Sequence, residues 1–532
     1  MGLWSAYFIA KLLLYGGGYI GFNPWLNLLF AIFTALPPQN ARQRFTKNVI
    51  AVPLGIMLLY HDSWLPPFAR VLAQTNNLAA FTPEYLWELL LRFLNWKLLL
   101  AAVVLVFVYA LARRKLRLST FVFVAILVVL LRPESPLPLQ PALANVTVQR
   151  TAGQNPQAAI DPRNLREEAL DGMLTDFYEK ERLRQVRFAP LLGDDAPYDI
   201  VILHVCSLAW DDLNFAGDDN DPLLQRFDIV FEDFNTAASY SGPAAIRLLR
   251  GNCGQAPHRQ LYESAKSDCL VIDGLQRVGF KPQWLMNHDG QFGDFFNDVR
   301  THGAFPVEPE PPTGAKVVQH GFDGTPIYDD YGVLSKWWSK RLADPAQRVV
   351  LYYNSISLHD GNRVGAKKGP ASYRGRLEKF SSDLRRFMDD MEASGRRAIV
   401  LFVPEHGAAV RGDRRQIPGL REIPTRAITH VPVGVRLINT SPNATKVRQR
   451  IEAPASYLAL NELLARLLAD NPFAKSDLQL GTYTQNLPHT ESVAENEGTT
   501  VMQISGQSLV RMPDGEWTPW TVSARQAALT SQ

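Results

Sequence analysis

The chain has 532 residues, which exceeds one ordinary domain, and its 46% apolar and 20% charged residues exclude wholesale disorder. A net charge of +3 is too small to indicate nucleic acid binding, and we expect no nucleic acid partner. Three cysteines exclude a disulfide-dense scaffold and leave at least one thiol unpaired within the chain.

Five apolar stretches precede Arg132 and predict an α-helical membrane domain of about five spans over residues 1–132. The second and third stretches are short, since a span needs about 20 helical residues, and Pro53 lies within the third. A buried hairpin therefore remains the alternative for these two. The stretches are Trp4–Ile20, Phe22–Pro38, Val49–Tyr60, Trp96–Ala112 and Leu118–Leu131.

Basic residues predict the orientation of these spans. Arg42, Arg44 and Lys47 lie in the second connection and Arg113–Arg117 is basic in the fourth, so both connections should face the cytoplasm. The N-terminus is then cytoplasmic, and everything after residue 132 lies outside. Lys11, within the first stretch, is expected to snorkel to an interface.

A further helix and a linker follow from local signals. Thr82 is a plausible N-cap with Pro83 as the first helical residue, and the amphipathic segment that follows should lie on the outer leaflet. Residues 133–164 are rich in Pro, Ala, Gln and Asn without a sustained period, which is typical of a flexible linker. Such a linker lets a domain work near the bilayer.

Residues 165–532 alternate strand-like and helical patterns, which predicts an α/β domain around a mainly parallel sheet. Tyr373–Ser394 and Ala455–Ala469 have apolar positions at helical spacing. Ligand sites in such sheets lie beyond the carboxyl ends of the strands. The apolar runs predicted as strands are Ile200–Val205, Val349–Tyr353, Ala398–Val403 and Val431–Leu437.

Reactive residue types follow these runs. Cys206 ends the first run and Glu405-His406 the third, and thiolate, carboxylate and imidazole are the ligands that hold zinc. Each alone has a simpler interpretation: Cys206 as a small buried hydrophobe, Glu405-His406 as a loop, and Ser241 as an N-cap. Together at one sheet edge, they predict a zinc site.

Ser241 is the predicted nucleophile. Gly242-Pro243 should place it at a helix N-terminus, where backbone N–H groups suit a phosphate, and its oxygen would take the fourth zinc position. His359, after the second run, could serve as general acid and base. Ser239 is the rival nucleophile.

Five motifs resemble the BcsG-type family of cellulose phosphoethanolamine transferases. They are LHVCSLAWDD (203–212), ASYSGPAAIRLLR (238–250), NHDGQFG (287–293), LHDGN (358–362) and VPEHG (403–407). The resemblance extends to GFNPWLNL (21–28) and YHDSWLP (60–66) in the N-terminal part. It implies an inner-membrane enzyme of bacterial cellulose synthesis with a periplasmic alkaline-phosphatase-like catalytic domain over residues 165–532.

The resemblance also implies a reaction and roles for residues. Such enzymes transfer phosphoethanolamine from phosphatidylethanolamine to glucose 6-hydroxyls of nascent cellulose, through a covalent phosphoethanolamine-serine at Ser241, beside subunits of the cellulose synthase complex. Tyr240 and Arg421 match positions near the substrate phosphate. Cys253 and Cys269, outside the membrane, are expected to pair as a disulfide.

Three alternatives remain open. The acceptor could be another glycan or lipid, and the protein could be a hydrolase of the same fold or a scaffold of the synthase complex. A sulfatase is disfavoured, because the Ser241 segment lacks the arginine of the Ser-x-Pro-x-Arg motif. His288 and Asp289 could line the site or form a turn.

Overall fold

The computed structural model describes residues 2–63, 82–93, 96–112, 117–131, 166–191, 196–218, 221–365, 371–413, 415–441, 447–513 and 515–520. The predicted linker, residues 133–164, lies outside this part of the chain. The described residues fall into two compact units: those within 1–74, 88–159 and 413–417 form the first, and those within 75–87, 160–412 and 418–532 form the second.

The N-terminal part is helical. Asn23 and Asn40 cap the second and third helices, since their Oδ1 atoms accept from Leu26 N at 3.0 Å and Gln43 N at 2.8 Å. Thr82 is the predicted N-cap, because its hydroxyl accepts from Tyr85 N at 3.3 Å. The helices span Trp4–Gly16, Pro24–Ala35, Ala41–His61, Pro83–Phe93, Trp96–Ala112 and Leu118–Leu131.

All five predicted apolar stretches lie on helices, but within the described residues no helix has both the length and the hydropathy needed to cross a membrane. Four of these five helices have 12 to 17 residues, against the about 20 that a span requires. The 21-residue helix Ala41–His61 begins with the basic residues Arg42, Arg44 and Lys47. The prediction of about five spans is therefore not met by the described helices.

Lys11 is buried rather than snorkelling, so that prediction is wrong. Its Nζ lies 2.8 Å from both Asp62 Oδ2 and Asn27 Oδ1. Asn27 Nδ2 also donates to Asp62 Oδ2 at 2.7 Å. Because the lysine has a counter-charge and hydrogen-bond partners inside the unit, it has no need to reach an interface.

The second unit is built on a mixed seven-stranded sheet of β1 (Asp199–Val205), β2 (Ile229–Asn235), β3 (Lys281–Met286), β6 (Val349–Ser355), β8 (Ala398–Pro404), β9 (His430–Ile438) and β10 (Gln449–Ile451), and the strand order across the sheet is β10-β2-β9-β8-β1-β6-β3. Strand β9 is antiparallel to both neighbours, and the other pairings are parallel, as predicted for a mainly parallel sheet.

Hydrophobic side chains cover both faces of this sheet. Along β1, Ile200 and Ile202 belong to the core on one face, whereas Val201 and Leu203 belong to the core on the other. A strand buried on both faces reads as a continuous apolar run, which is why β1, β6, β8 and β9 were predictable. The long helix Tyr373–Ala393 covers the second face with its buried apolar stripe.

Two smaller sheets complete the unit. One contains β4 (Val317–His320), β5 (Pro326–Tyr328) and β7 (Arg363–Val364); the other is an antiparallel meander of β11 (Val493–Asn496), β12 (Thr499–Ile504), β13 (Gln507–Arg511) and β14 (Trp517–Trp520). Strands β12 and β13 form a hairpin. The helices of this unit span Glu167–Arg182, Trp210–Ala216, Ser241–Leu249, Val271–Arg277, Phe295–Asn297, Asp330–Ala343, Tyr373–Ala393, Arg426–Thr429, Tyr457–Ala469 and Gly481–Thr484.

Candidate zinc and nucleophile site

Strand register brings the first site residues together. Val205 at the end of β1 pairs with Ser355 of β6 and Pro404 of β8. The backbone bonds continue past the strand ends, since Cys206 N donates to Ser355 O at 2.9 Å and Glu405 N donates to Val205 O at 2.8 Å. Two adjacent parallel strands therefore deliver Cys206 and Glu405 to the same point.

Cys206, Glu405 and His406 form a buried cluster whose possible ligand atoms all lie within 4.8 Å of one another. Cys206 Sγ lies 3.8 Å from His406 Nε2, and Glu405 Oε2 lies 3.7 Å from the same nitrogen. Ligand atoms bound to one tetrahedral zinc ion would be about 3.3–3.5 Å apart. The observed separations are close to those values.

Two further observations fit zinc. Glu405 Oε2 is buried and forms no hydrogen bond of ordinary geometry with the described residues, as expected of an oxygen whose partner is a metal ion. His406 Nδ1 lies 2.9 Å from Gly407 O, so it carries the proton and leaves Nε2 free to bind a metal. Three protein ligands with an open fourth position are typical of a catalytic zinc site.

Ser241 lies beside this cluster and is the first residue of the helix Ser241–Leu249. Tyr240, not Ser241, occupies the N-cap position of that helix. Its Oγ lies 3.4 Å from Cys206 Sγ and 3.5 Å from His406 Nε2. The N-cap interpretation of this serine is therefore wrong, and its hydroxyl is directed to the cluster instead of the helix backbone.

Ser239, the rival nucleophile, has a different environment. Its hydroxyl is fully buried, donates to Arg421 O at 2.6 Å and accepts from Asn496 Nδ2 at 2.6 Å. These bonds tie Ser239 to the loop behind the site, so the geometry favours Ser241.

The electrostatics of the cluster reflect deep burial. Burial, followed by the charge of Glu405, raises the pKa of the Cys206 thiol to about 12. Burial also raises the pKa of Glu405 and lowers the pKa of His406 well below its usual range. Burial thus disfavours the charged forms of all three side chains. A bound cation would instead favour the anionic forms of Cys206 and Glu405.

Arg421 supplies positive charge at the site. Its side chain is buried, its Nη1 donates to Ser207 Oγ at 3.1 Å, and its guanidinium lies 5.6 Å from the ring centroid of Tyr240. Burial, and after it the charge of Arg421, lowers the pKa values of both His406 and His359. Arg421 therefore lies close to Tyr240, the residue that precedes Ser241.

His359 lies within electrostatic range of the cluster: after burial and Arg421, a positive charge on His359 would lower the pKa of His406 further. Burial, followed by Arg421, lowers the pKa of His359 to about 4. Its Nδ1 contacts Asp360 O at 2.7 Å, and its ring lies 5.2 Å from Phe322. The imidazole is therefore neutral near pH 7, as a general base must be.

Two asparagines that the sequence analysis missed support the site. Asn354 Nδ2 donates to Glu405 Oε1 at 2.6 Å, and His288 Nε2 meets Asn354 Oδ1 at 2.8 Å. His288 is therefore linked to Glu405 through Asn354, whereas Asp289 is exposed and accepts a hydrogen bond from Gln291 N in a turn. Only the strand register could have revealed Asn354, which sits at the end of β6 opposite His204.

Asn496 is the second missed asparagine. Its Nδ2 donates to Arg421 O at 3.0 Å and to Glu422 O at 2.9 Å, as well as to Ser239. It lies on β11 of the C-terminal meander and holds the loop that carries Arg421.

The three cysteines divide into one disulfide and one free thiol. Cys253 and Cys269 form a disulfide, and Cys206 is free and buried. The thiol left unpaired is the one that lies in the candidate zinc cluster.

The chain matches two family models over most of its length. Residues 4–131 match the cellulose biosynthesis protein BcsG N-terminal domain, and residues 153–517 match the BcsG C-terminal domain. Among curated proteins, the cellulose biosynthesis protein BcsG of Escherichia coli K12 is 37% identical over 97% of this chain and 96% of its own length. The BcsG of Salmonella typhimurium LT2 is 36% identical over the same shares.

Solved structures give more distant matches. An alkaline phosphatase superfamily protein from Vibrio parahaemolyticus is 14% identical, with a TM-score of 0.47 over 68% of this chain and 93% of that one. The C-terminal periplasmic domain of EptC from Escherichia coli is also 14% identical, with a TM-score of 0.40 over 60% of this chain and all of that domain.

Proposed function

Because this chain belongs to the BcsG family of cellulose biosynthesis proteins, we propose that it is a phosphoethanolamine transferase that modifies cellulose. The observation that carries the proposal is the hydroxyl of Ser241, which lies at a helix start and within 3.5 Å of two residues of the Cys206–Glu405–His406 cluster. A serine in that position is suited to form a covalent phosphoryl intermediate.

In the first half-reaction the donor is phosphatidylethanolamine. Ser241 Oγ bonds to the phosphorus, and the bond between phosphorus and the diacylglycerol oxygen breaks. The serine proton ends on that oxygen through His359, and the products are diacylglycerol and phosphoethanolamine on Ser241. Arg421 and the backbone N–H groups at the start of the helix Ser241–Leu249 stabilise the negative charge of the phosphoryl oxygens.

In the second half-reaction a glucose 6-hydroxyl of cellulose attacks the same phosphorus. Its O6 bonds to phosphorus while the bond to Ser241 Oγ breaks, and His359 takes the O6 proton and returns one to Oγ. The serine is restored and the glucan carries phosphoethanolamine. No proton or charge is left over.

Cys206, Glu405 and His406 would hold zinc, with Ser241 at the fourth position. When bound, zinc supplies a positive charge that lowers the pKa of the Ser241 hydroxyl and offsets the charge of the phosphoryl group. Asn354 orients Glu405 through its 2.6 Å hydrogen bond, and Gly407 O holds the tautomer of His406.

The proposal places the protein in the bacterial inner membrane, with residues 165–532 as a periplasmic catalytic domain beside the cellulose synthase complex. The disulfide between Cys253 and Cys269 supports an oxidising compartment for this domain. A lipid donor supports the membrane location, since the headgroup must be reached at the bilayer surface.

The test is the intact mass of the purified full-length protein after incubation with phosphatidylethanolamine and zinc. We expect a gain equal to phosphoethanolamine minus water, located on Ser241 and lost on addition of a soluble cello-oligosaccharide. Ser241→Ala should bind zinc and gain no mass, whereas Ser239→Ala should still form the adduct.

Other outcomes separate the alternatives. An adduct that water removes as fast as the oligosaccharide does would indicate a hydrolase, and one removed only by a different glycan or lipid would change the acceptor. Absence of both adduct and zinc would indicate a scaffold.

A further inference from the structure

A carboxylate lies directly against the backbone next to the nucleophile. Asp298 begins a π-helical turn, Asp298–His302, that packs along the helix Ser241–Leu249. A Cβ atom built on Gly242 would collide with Asp298 Oδ2 and lie 3.1 Å from Asp298 Cγ. Gly242 therefore allows this carboxylate to approach the residue that follows Ser241 more closely than any side-chain-bearing residue would.

Asp298 has no cationic partner in the part of the chain that the structure describes: its carboxylate forms neither an ion pair nor a hydrogen bond there. Arg300, on the same turn, pairs instead with Glu308 at 3.0 Å and Phe305 O at 2.7 Å. The nearby charge is also negative, since Asp294 acts on Asp298. Burial, followed by Asp294, raises the pKa of Asp298 to about 7, as expected of a carboxylate without a counter-charge.

The residues before and after Ser241 therefore contact groups of opposite charge. The guanidinium of Arg421 lies close to Tyr240, the residue before Ser241, and the carboxylate of Asp298 lies against Gly242, the residue after it. A phosphoethanolamine group on Ser241 has the same polarity, with an anionic phosphate and an ammonium two carbons beyond the ester oxygen. The carboxylate is within reach of that ammonium, because it touches the residue bonded to Ser241.

We propose that Asp298 binds the ammonium of the ethanolamine headgroup and thereby selects the donor. This inference rests on the proposed transferase function and adds a residue that recognises the headgroup. An ammonium placed between Asp298 and the phosphate would give the carboxylate the counter-charge that it lacks in the free protein.

The experiment compares two chromogenic phosphodiesters that differ only at the headgroup end. p-Nitrophenyl phosphoethanolamine carries the ammonium, and p-nitrophenyl propyl phosphate has a methyl group in its place. The readout is the ratio of kcat/KM for the two probes, measured by nitrophenolate release with full-length, zinc-loaded protein. We expect Asp298→Asn to lower this ratio about 10- to 100-fold, the range of a charge-assisted hydrogen bond.

Controls separate recognition from structure. Asp298→Ser should lower the ratio like Asp298→Asn, whereas Asp289→Asn, which changes an exposed turn carboxylate, should leave the ratio unchanged. If both Asp298 variants lose turnover of the two probes equally, the role is structural and the inference is wrong. If the wild-type protein forms no phosphoethanolamine adduct on Ser241, the proposed function itself fails, and the inference fails with it.

Discussion

Asn354 provides a sharp test of the zinc site, because it contacts a predicted ligand without being one. Its Nδ2 donates to Glu405 Oε1 at 2.6 Å and to His204 O at 3.2 Å, and its Oδ1 meets His288 Nε2 at 2.8 Å. Asn354→Ala removes all three contacts within a fully buried site. Glu405 then loses the partner that orients its carboxylate.

The magnitude follows from the bond that is lost. A hydrogen bond to a charged group contributes about 1.5–3 kcal/mol. Partners of metal ligands typically change metal affinity about 10- to 100-fold, which corresponds to about 1.4–2.7 kcal/mol. The two ranges agree, so we expect the zinc Kd of Asn354→Ala to rise about 10- to 100-fold.

The assay is zinc competition with a chromophoric chelator, followed alongside urea unfolding without metal. Asn252→Ala is the matched control, since Asn252 is also buried but its Nδ2 contacts Leu270 O, directly after the disulfide loop, at 3.5 Å. Both variants should lose stability, and only Asn354→Ala should lose zinc affinity. Equal zinc Kd values for Asn354→Ala and Asn252→Ala would refute the assignment of Glu405 as a ligand held by Asn354.

Three further predictions concern stability. Asp199→Ala should cost about 3–5 kcal/mol in urea unfolding, because it leaves the fully buried Arg341 without its carboxylate; a loss below 1 kcal/mol would contradict this. Cys253→Ser opens the loop to Cys269 and should cost about 3 kcal/mol while zinc stoichiometry stays the same. Gly407→Ala places a Cβ 2.7 Å from Ala209 Cβ, so it should lower the free energy of unfolding by about 1–3 kcal/mol and weaken zinc binding. Gly375→Ala is the control, because its Cβ meets open space and the change should leave stability the same or raise it. Equal melting temperatures for the two variants would argue against the close packing at Gly407.

The central strands were predictable, and their directions were not. β1, β6, β8 and β9 lie within one or two residues of the predicted runs, because strands buried on both faces are continuously apolar. An apolar run does not indicate, however, whether a strand is parallel or antiparallel to its neighbours. Only the pairing with β8 and β2 shows that β9 is antiparallel.

The site shows a similar division. Cys206, Glu405 and His406 were recognisable because reactive residues follow strand-like runs, and Gly242-Pro243 marked the start of the helix that begins at Ser241. Asn354 and Asn496 carry no such signal, since an asparagine acquires its role only when register and loop packing bring it to a partner. The same holds for Asp298, which is nearly sixty residues from Ser241 in the chain yet touches Gly242.

The position of Asn496 has a consequence for the order of events during biosynthesis. This residue bonds to the backbone of Arg421 and Glu422 and to Ser239, yet it belongs to the last sheet of the chain. During synthesis, the seven strands of the main sheet emerge before it does. A growing chain therefore cannot hold the Arg421 loop in place until this meander has docked, and a protease that removes the meander would release the loop while leaving the main sheet intact.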